Sequence, residues 1–106
     1  MKHVLCYITV PDAAVAQDIA AKLVSKHLVA CANILPVVRS LYEWNGQLND
    51  TVEVLVFCKA VADNVDDIVR EVKAHHPSEC PCITFLQISD GFPPFLAWIA
   101  AQCDKK

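Results

Sequence analysis

The sequence has very little glycine, with only Gly46 and Gly91 among 106 residues. A phosphate-binding loop and a glycine-rich nucleophile elbow each need closely spaced glycines, so both kinds of site are excluded. Positive charge is also scarce, because 9 Lys and Arg residues stand against 12 Asp and Glu residues. The resulting net charge of -3 argues against nucleic acid as a partner.

Long hydrophobic runs are missing as well. Glu53, Lys59 and several prolines interrupt each apolar stretch before it reaches the length of a membrane span. The segment 1–12 contains a short apolar stretch, but no small-residue cleavage site follows it. We therefore expect no membrane association and a cytoplasmic location, where the six cysteines remain reduced thiols.

Hydrophobic residues are nevertheless abundant in total, at 55% of the chain. The length predicts one domain, residues 1–106. A domain this small exposes a large share of its surface, so a monomer would have difficulty burying so many apolar side chains. The composition therefore favours self-association.

Hydrophobic periodicity predicts four strands and three helices. Asp12 is a good N-cap for the first helix, and Asn45-Gly46 is a strong signal for a two-residue hairpin turn. The element order predicts an α+β fold of the ferredoxin-like βαββαβ type with an additional C-terminal helix. The predicted segments are strands 3–10, 31–44, 51–61 and 82–89, helices 13–28 and 63–76, and a terminal helix with Phe95, Leu96 and Ile99 facing inward.

The strand 31–44 is unusually long, and it is apolar on both sides. Leu35, Val37 and Leu41 alternate with other apolar residues along it. In the predicted fold the helices cover only one face of the sheet, so a neighbouring copy is expected to cover the other. We also expect a β-bulge near Pro36, and the alternative is that this bulge divides the segment into two ordinary strands.

The densest cluster of reactive side chains is HHPSECPC, residues 75–82. It contains His75, His76, Glu79, Cys80 and Cys82. Imidazole and thiolate ligands suit Zn(II) or Cu(I), although the spacing is not that of a zinc finger. The structural alternative makes His76 a helix-end residue and Cys82 a buried strand residue, and spacing alone favours this alternative.

Two further candidates lie on the long strand. Cys31 opens it, and it would need a histidine nearby to act as a nucleophile; a buried thiol is the better interpretation. Glu43 lies between Tyr42 and Trp44 beside the hairpin turn. These three residues are candidates for lining a cleft between subunits, and the alternative for Glu43 is a solvated strand end.

Five segments carry a resemblance to a known family: TVPD (9–12), ACANILP (30–36), LYEWNG (41–46), HHP (75–77) with Pro81 and Ile83, and FLAWI (95–99). In this order and spacing they resemble the CutA family of divalent-cation tolerance proteins. The resemblance implies a homotrimer of ferredoxin-like subunits joined through long hairpins, with no enzymatic activity and no obligatory cofactor. It also implies a role in cation tolerance through binding of copper or another divalent metal ion.

The resemblance also implies metal ligands at Cys31, His75 and His76. The cluster itself adds Glu79, Cys80 and Cys82 as secondary candidates. Two positions depart from the family pattern, because Ser78 replaces a tyrosine and Cys82 replaces a glutamate. The added thiols shift the preference towards soft ions such as Cu(I). The alternative function is a trimeric signalling or scaffold protein that binds a small effector or a protein partner in intersubunit clefts near Tyr42, Glu43 and Trp44. An enzyme with Cys31 as nucleophile ranks last, because acid-base and oxyanion groups are missing.

Overall fold

The structure is a computed structural model that describes residues 2–104. The sheet has the strand order β2-β3-β1-β4, and all its neighbouring strands are antiparallel. This arrangement confirms the predicted ferredoxin-like α+β fold with a C-terminal helix. The elements are β1 (His3–Val10), α1 (Ala13–Ser25), β2 (Cys31–Trp44), β3 (Gln47–Val61), a 3-10 turn (Ala62–Asn64), α2 (Val65–His75), β4 (Ile83–Ile88) and α3 (Pro93–Gln102).

The first helix begins as its sequence predicts. The Asp12 side chain accepts a hydrogen bond from the Val15 backbone N–H at 2.9 Å, which satisfies one of the free donors of the first turn. The helix ends at Ser25, three residues before the predicted end. His27 has a φ of 58°, and this left-handed conformation stops the helix and turns the chain towards β2.

The main core lies between the helices and one face of the sheet. Residues of β1 and β3 that alternate along the strands point into it, as period-2 patterning requires. Ile68 and Val72 of α2 and Ile99 of α3 complete it. The sheet's contribution consists of Val4, Cys6, Ile8, Val10, Val54, Val56, Cys58 and Ala60.

The prediction that Phe95 faces inward is wrong. Phe95 is 41% exposed, whereas Ile99 is fully buried and Leu96 packs partly against the core. Phe95 instead stacks on Trp98, with the ring centroids 5.4 Å apart. No helix within residues 2–104 is long and apolar enough to cross a membrane.

The hairpin of β2 and β3 determines the shape of the molecule, whose longest dimension is 44 Å. Asn45 and Gly46 both have positive φ values, 52° and 75°, as the predicted two-residue turn requires. The expected bulge is present, because the register of β2 against β3 shifts between Leu35 and Val38. The strand nevertheless runs without interruption from Cys31 to Trp44, so the alternative of two separate strands is wrong.

Candidate functional site

A cleft of about 730 Å³ lies between the hairpin and the segment 76–82, which connects α2 to β4. Two groups of residues that the sequence predicted as separate candidates meet in it. One group comes from the hairpin, and the other comes from the cluster 75–82. The members of these groups that line the cleft are Tyr42, Trp44, His76, Glu79, Cys80 and Cys82.

His76 is fixed in this cleft by both nitrogens of its ring. Nε2 lies 2.8 Å from the carbonyl oxygen of Thr9, and Nδ1 lies 3.0 Å from the backbone nitrogen of Ser78. A carbonyl oxygen can only accept and a backbone N–H can only donate, so Nε2 carries the proton and Nδ1 is the acceptor. The ring is a neutral imidazole whose two polar atoms are already used in holding the segment 76–82 against β1.

His75 belongs to a different surface. Its Nε2 lies 3.1 Å from a carboxylate oxygen of Glu71, one turn earlier on α2. The same carboxylate accepts hydrogen bonds from Nζ of Lys26 at 2.9 Å. The Lys26 contact is the main reason why the pKa of Glu71 is lowered. The two adjacent histidines therefore diverge, one towards the helix surface and one into the cleft.

Cys80 and Cys82 are both exposed, and both line the cleft together with Glu79. Pro81 between them has no N–H to donate, and β4 begins only at Ile83. The predicted strand start at residue 82 is one residue early, so Cys82 is not the buried strand residue of the structural alternative. The accessible donor groups of this cleft therefore include the two thiols and the carboxylates of Glu79 and the half-buried Glu53.

Cys31 lies at the far end of the sheet. Cys31 on β2 pairs with Lys59 on β3, and Lys59 pairs with Leu5 on β1. His76 instead contacts β1 at Thr9. Four residues along β1 and two strand spacings separate these points, which amounts to about 16 Å. The Cys31 thiol contacts the ammonium of Lys59, with Nζ 3.9 Å from Sγ. Within one chain, Cys31 does not join the cleft.

The three hairpin candidates also separate. Tyr42 and Trp44 line the cleft, while Glu43 is exposed and is not one of its lining residues. Glu43 as part of a cleft between subunits remains a prediction.

Several lining residues were not predicted. Tyr7 and Thr9 of β1 line the cleft from the sheet face opposite the helices, as their alternation with buried Ile8 indicates. Arg39 also lines it, and its guanidinium is held by two hydrogen bonds to the carboxylate of Asp50, at 2.8 and 2.6 Å. The hairpin turn at Asn45-Gly46 places residues 39 and 50 close together, so this ion pair could have been found from the sequence.

The remaining cysteines are poor ligands or nucleophiles. Burial raises the pKa of the Cys6 thiol to about 12, and burial also raises the pKa of Cys58 and of Cys103. A thiol must lose its proton to bind a metal ion or to attack an electrophile. Cys6, Cys58 and Cys103 are therefore structural, and the cleft holds the two cysteines with open access.

The donor set of the cleft fits a soft ion better than a hard one. Thiolates suit Cu(I) and Zn(II), whereas hard divalent cations prefer several oxygen ligands. Within residues 2–104, no three His, Cys, Asp or Glu side chains converge closely enough to hold a metal ion as they stand. Cys80 and Cys82 with one or two further donors are the combination that this chain offers.

The model of the CutA1 divalent ion tolerance protein family matches residues 4–102. The chain belongs to this family. A Citrobacter koseri divalent-cation tolerance protein CutA is 39% identical over 99 residues, which are 93% of this chain and 84% of that protein. A Xenopus laevis protein CutA homolog is 40% identical over 93 residues, which are 88% of this chain. The matched region spans 62% of the length of the Xenopus laevis relative.

Solved CutA structures share the whole fold. The Thermus thermophilus divalent cation tolerance protein superposes with a TM-score of 0.94 at 34% identity, covering 96% of this chain and 99% of that one. The Archaeoglobus fulgidus protein, described as a periplasmic divalent cation tolerance protein CutA, gives 0.93 at 33% identity and covers 96% and 99%. The CutA resemblance seen in the sequence is therefore confirmed.

Proposed function

We propose that this CutA1 family member is a non-enzymatic homotrimer that takes up a thiophilic metal ion, copper or another divalent ion, in the cleft beside Cys80 and Cys82. The metal ion is cargo in this proposal, and no obligatory cofactor is needed. The observation that carries it is the placement of two exposed thiols and Glu79 in one cleft, on a segment held in position by His76.

The trimer is supported by the uncovered apolar surface of the hairpin. Val37, Leu41 and Val52 are 66%, 61% and 64% exposed in a single chain, and Leu48 and Trp44 near the hairpin turn are also exposed. Exposed apolar patches of this kind mark interaction sites in soluble proteins. A hairpin that extends past its own helices has apolar surface to pack against a second copy. A closed symmetric arrangement of the copies then limits the number of subunits.

The metal site is supported by accessibility and donor chemistry. Cys80, Cys82 and Glu79 are the direct donors in this proposal, and His76 positions them. His75 becomes a donor only if its contact with Glu71 opens. Cys31 is not a donor in this proposal, because within its own chain it lies about 16 Å from Thr9, which fixes the cleft segment through His76.

The absence of enzymatic activity is supported by the surroundings of Cys31. Its neighbour is the ammonium of Lys59, which also donates a hydrogen bond to Oδ1 of Asn33 at 2.7 Å. A nucleophilic cysteine of the Cys-His type needs an imidazole in this position. We place the protein in the cytoplasm, because a dithiol cargo site works only while its cysteines stay reduced.

Metal titration under reducing conditions tests the proposal. The parent protein should bind Cu(I), and the double variant Cys80→Ser/Cys82→Ser should bind it at least about tenfold more weakly. Cys31→Ser is the matched control, since it removes a thiol outside the cleft, and its affinity should equal that of the parent. If the double variant binds Cu(I) as tightly as the parent does, the cleft is not the metal site.

A second function is favoured by the size and lining of the same cleft. A volume of about 730 Å³ lies in the usual range for small-molecule pockets, and Tyr7, Tyr42 and Trp44 provide aromatic surface. The alternative is therefore a signalling or scaffold trimer that binds an organic effector or a partner there. It predicts that Trp44 fluorescence changes with such a ligand and stays constant with Cu(I).

A further inference from the structure

Cys80 and Cys82 differ from the other cysteines of the chain in their access to solvent. Both are exposed and line one cleft, whereas Cys6, Cys58 and Cys103 are buried and Cys31 is half-buried outside the cleft. Reactions of thiols need a thiolate that a reagent can reach. Chemical modification of the folded protein is therefore directed to the pair in the cleft.

The segment that carries the pair is held at both ends and has no helix or strand between them. His76 is held to Thr9 at one end, and Ile83 pairs with Ile8 at the other. The segment 77–82 has no helix or strand, and the chain bends at residues 78–80. A local rearrangement at Pro81 breaks no sheet hydrogen bond, because proline has no N–H and β4 has not begun.

The spacing of Cys80 and Cys82 along the chain is close to what a disulfide requires. A bond between two cysteines needs Cα atoms about 4.4–6.8 Å apart. Residues two apart in an extended chain are separated by roughly 6.6–7.2 Å, so a slight bend brings them into range. Side chains two residues apart also point to the same side of an extended chain. Exposed and strained disulfides of this kind are readily reduced again.

We propose that Cys80 and Cys82 form a reversible intramolecular disulfide that switches the cleft between a dithiol and a closed state. The oxidant is a low-molecular-weight disulfide such as oxidised glutathione. One cysteine thiolate attacks it, forms a mixed disulfide and releases one small thiol; the second cysteine thiolate then displaces the other small thiol. Two cysteine thiols are oxidised and one small disulfide is reduced to two thiols. Closure removes both sulfur donors from the cargo ion, a consequence that rests on the proposed metal function.

Mass spectrometry of the native full-length protein after treatment with oxidised glutathione tests this. The parent should lose two hydrogen atoms and carry no adduct on residues 80 and 82. Each single variant, Cys80→Ser and Cys82→Ser, should instead gain one glutathione, because no second thiol is present to displace it. Cys31→Ser is the matched control, and it should form the Cys80–Cys82 disulfide as the parent does.

Two glutathione adducts on the parent, or an unchanged mass, would overturn the disulfide. Binding of Cu(I) by the reduced and the closed protein separates the two proposals. A closed protein that binds Cu(I) as tightly as the reduced one overturns the switch. A parent that closes normally but binds no Cu(I) when reduced overturns the metal function and leaves the disulfide in place.

Discussion

The imidazole of His76 connects the sheet to the cleft segment, with Nε2 2.8 Å from the Thr9 carbonyl oxygen and Nδ1 3.0 Å from the Ser78 nitrogen. The adjacent His75 makes no such connection and instead contacts Glu71 on its own helix. A pair of neighbouring histidines thus has two separate structural roles. The role of His76 in a metal site is to hold the donor segment in place.

Replacing His76 should therefore cost more stability than replacing His75. His76→Ala removes one partly buried and one exposed hydrogen bond, which are worth about 1–2 kcal/mol of unfolding free energy together. His75→Ala removes a half-buried contact with Glu71 on the surface of α2, which is worth less than about 1 kcal/mol. Chemical denaturation of both variants measures this difference. Equal losses in the two variants would show that the Thr9 and Ser78 contacts do not stabilise the fold.

Alanine at residue 46 of the hairpin turn should destabilise the protein, whereas glycine at residue 45 should not. Gly46 has a φ of 75°, and a Cβ atom placed on it would meet no atom within 4 Å. Gly46→Ala is thus expected to lower the unfolding free energy by about 1 kcal/mol through backbone strain alone. Asn45→Gly is the control, since residue 45 also has a positive φ and glycine adopts it freely. Thermal unfolding that is equally affected by the two changes would contradict the expected strain.

Asn64 is the main buried polar connection in the core. It is 1% exposed, and its Nδ2 donates to the carbonyl oxygens of Leu28 at 3.0 Å and Cys103 at 3.2 Å. Asn64→Ala should cost about 2 kcal/mol by leaving these acceptors unpaired. Asn64→Asp should cost more at pH 7, because its carboxylate would be buried against carbonyl oxygens.

The Asn64→Asp variant also has a distinctive pH dependence. Burial favours the protonated acid, so the pKa of the new carboxyl is raised in the folded state. The variant is then most stable at pH values below the pKa that this carboxyl has in the unfolded chain. It loses stability as pH rises from there through the raised pKa of the folded state. The stability gap between this variant and the parent should widen from pH 4 to pH 7. A gap that is constant over this range would contradict a buried, carbonyl-facing side chain.

Lys26 should control the ionisation of Glu71. The hydrogen bonds from its ammonium lower the pKa of Glu71, so this carboxylate stabilises the fold above its ordinary pKa, and the contribution is lost as pH falls through the lowered value. Lys26→Met should raise the pKa of Glu71 and remove this stabilisation. NMR titration of the glutamate carboxyl groups measures the shift. Lys22→Met is the control, because it should raise the pKa of Asp18 and leave Glu71 nearly unchanged.

Local sequence signals predicted the elements of this fold well. Asp12, the Asn45-Gly46 turn and the alternation of β1 each act through neighbouring residues, so they can be read from the sequence. The errors concern which side of a helix is covered by the core and the residue at which a helix stops. Phe95 fits the apolar stripe of α3, yet it stacks on Trp98 at the surface, and helix α1 stops early because His27 adopts a left-handed conformation.

The candidate site was predicted less completely, because it depends on long-range placement. The cluster 75–82 was found from its composition, but no sequence pattern shows that His75 and His76 point to different surfaces. The meeting of this cluster with Tyr42 and Trp44 depends on the sheet order, which places the hairpin and β4 on opposite sides of β1. Tyr7 and Thr9 were overlooked because they belong to an otherwise ordinary strand.

Native mass spectrometry of the reduced protein, purified without chelator and supplied with Cu(I), tests the proposed function most directly. We predict a trimer that carries copper in integral ratio to its subunits, and a copper-free trimer for Cys80→Ser/Cys82→Ser. The charged variant Val52→Glu, placed on the exposed apolar face of the hairpin, should weaken the trimer. A monomeric mass at micromolar concentration, or a trimer whose copper content does not depend on Cys80 and Cys82, would contradict the proposal.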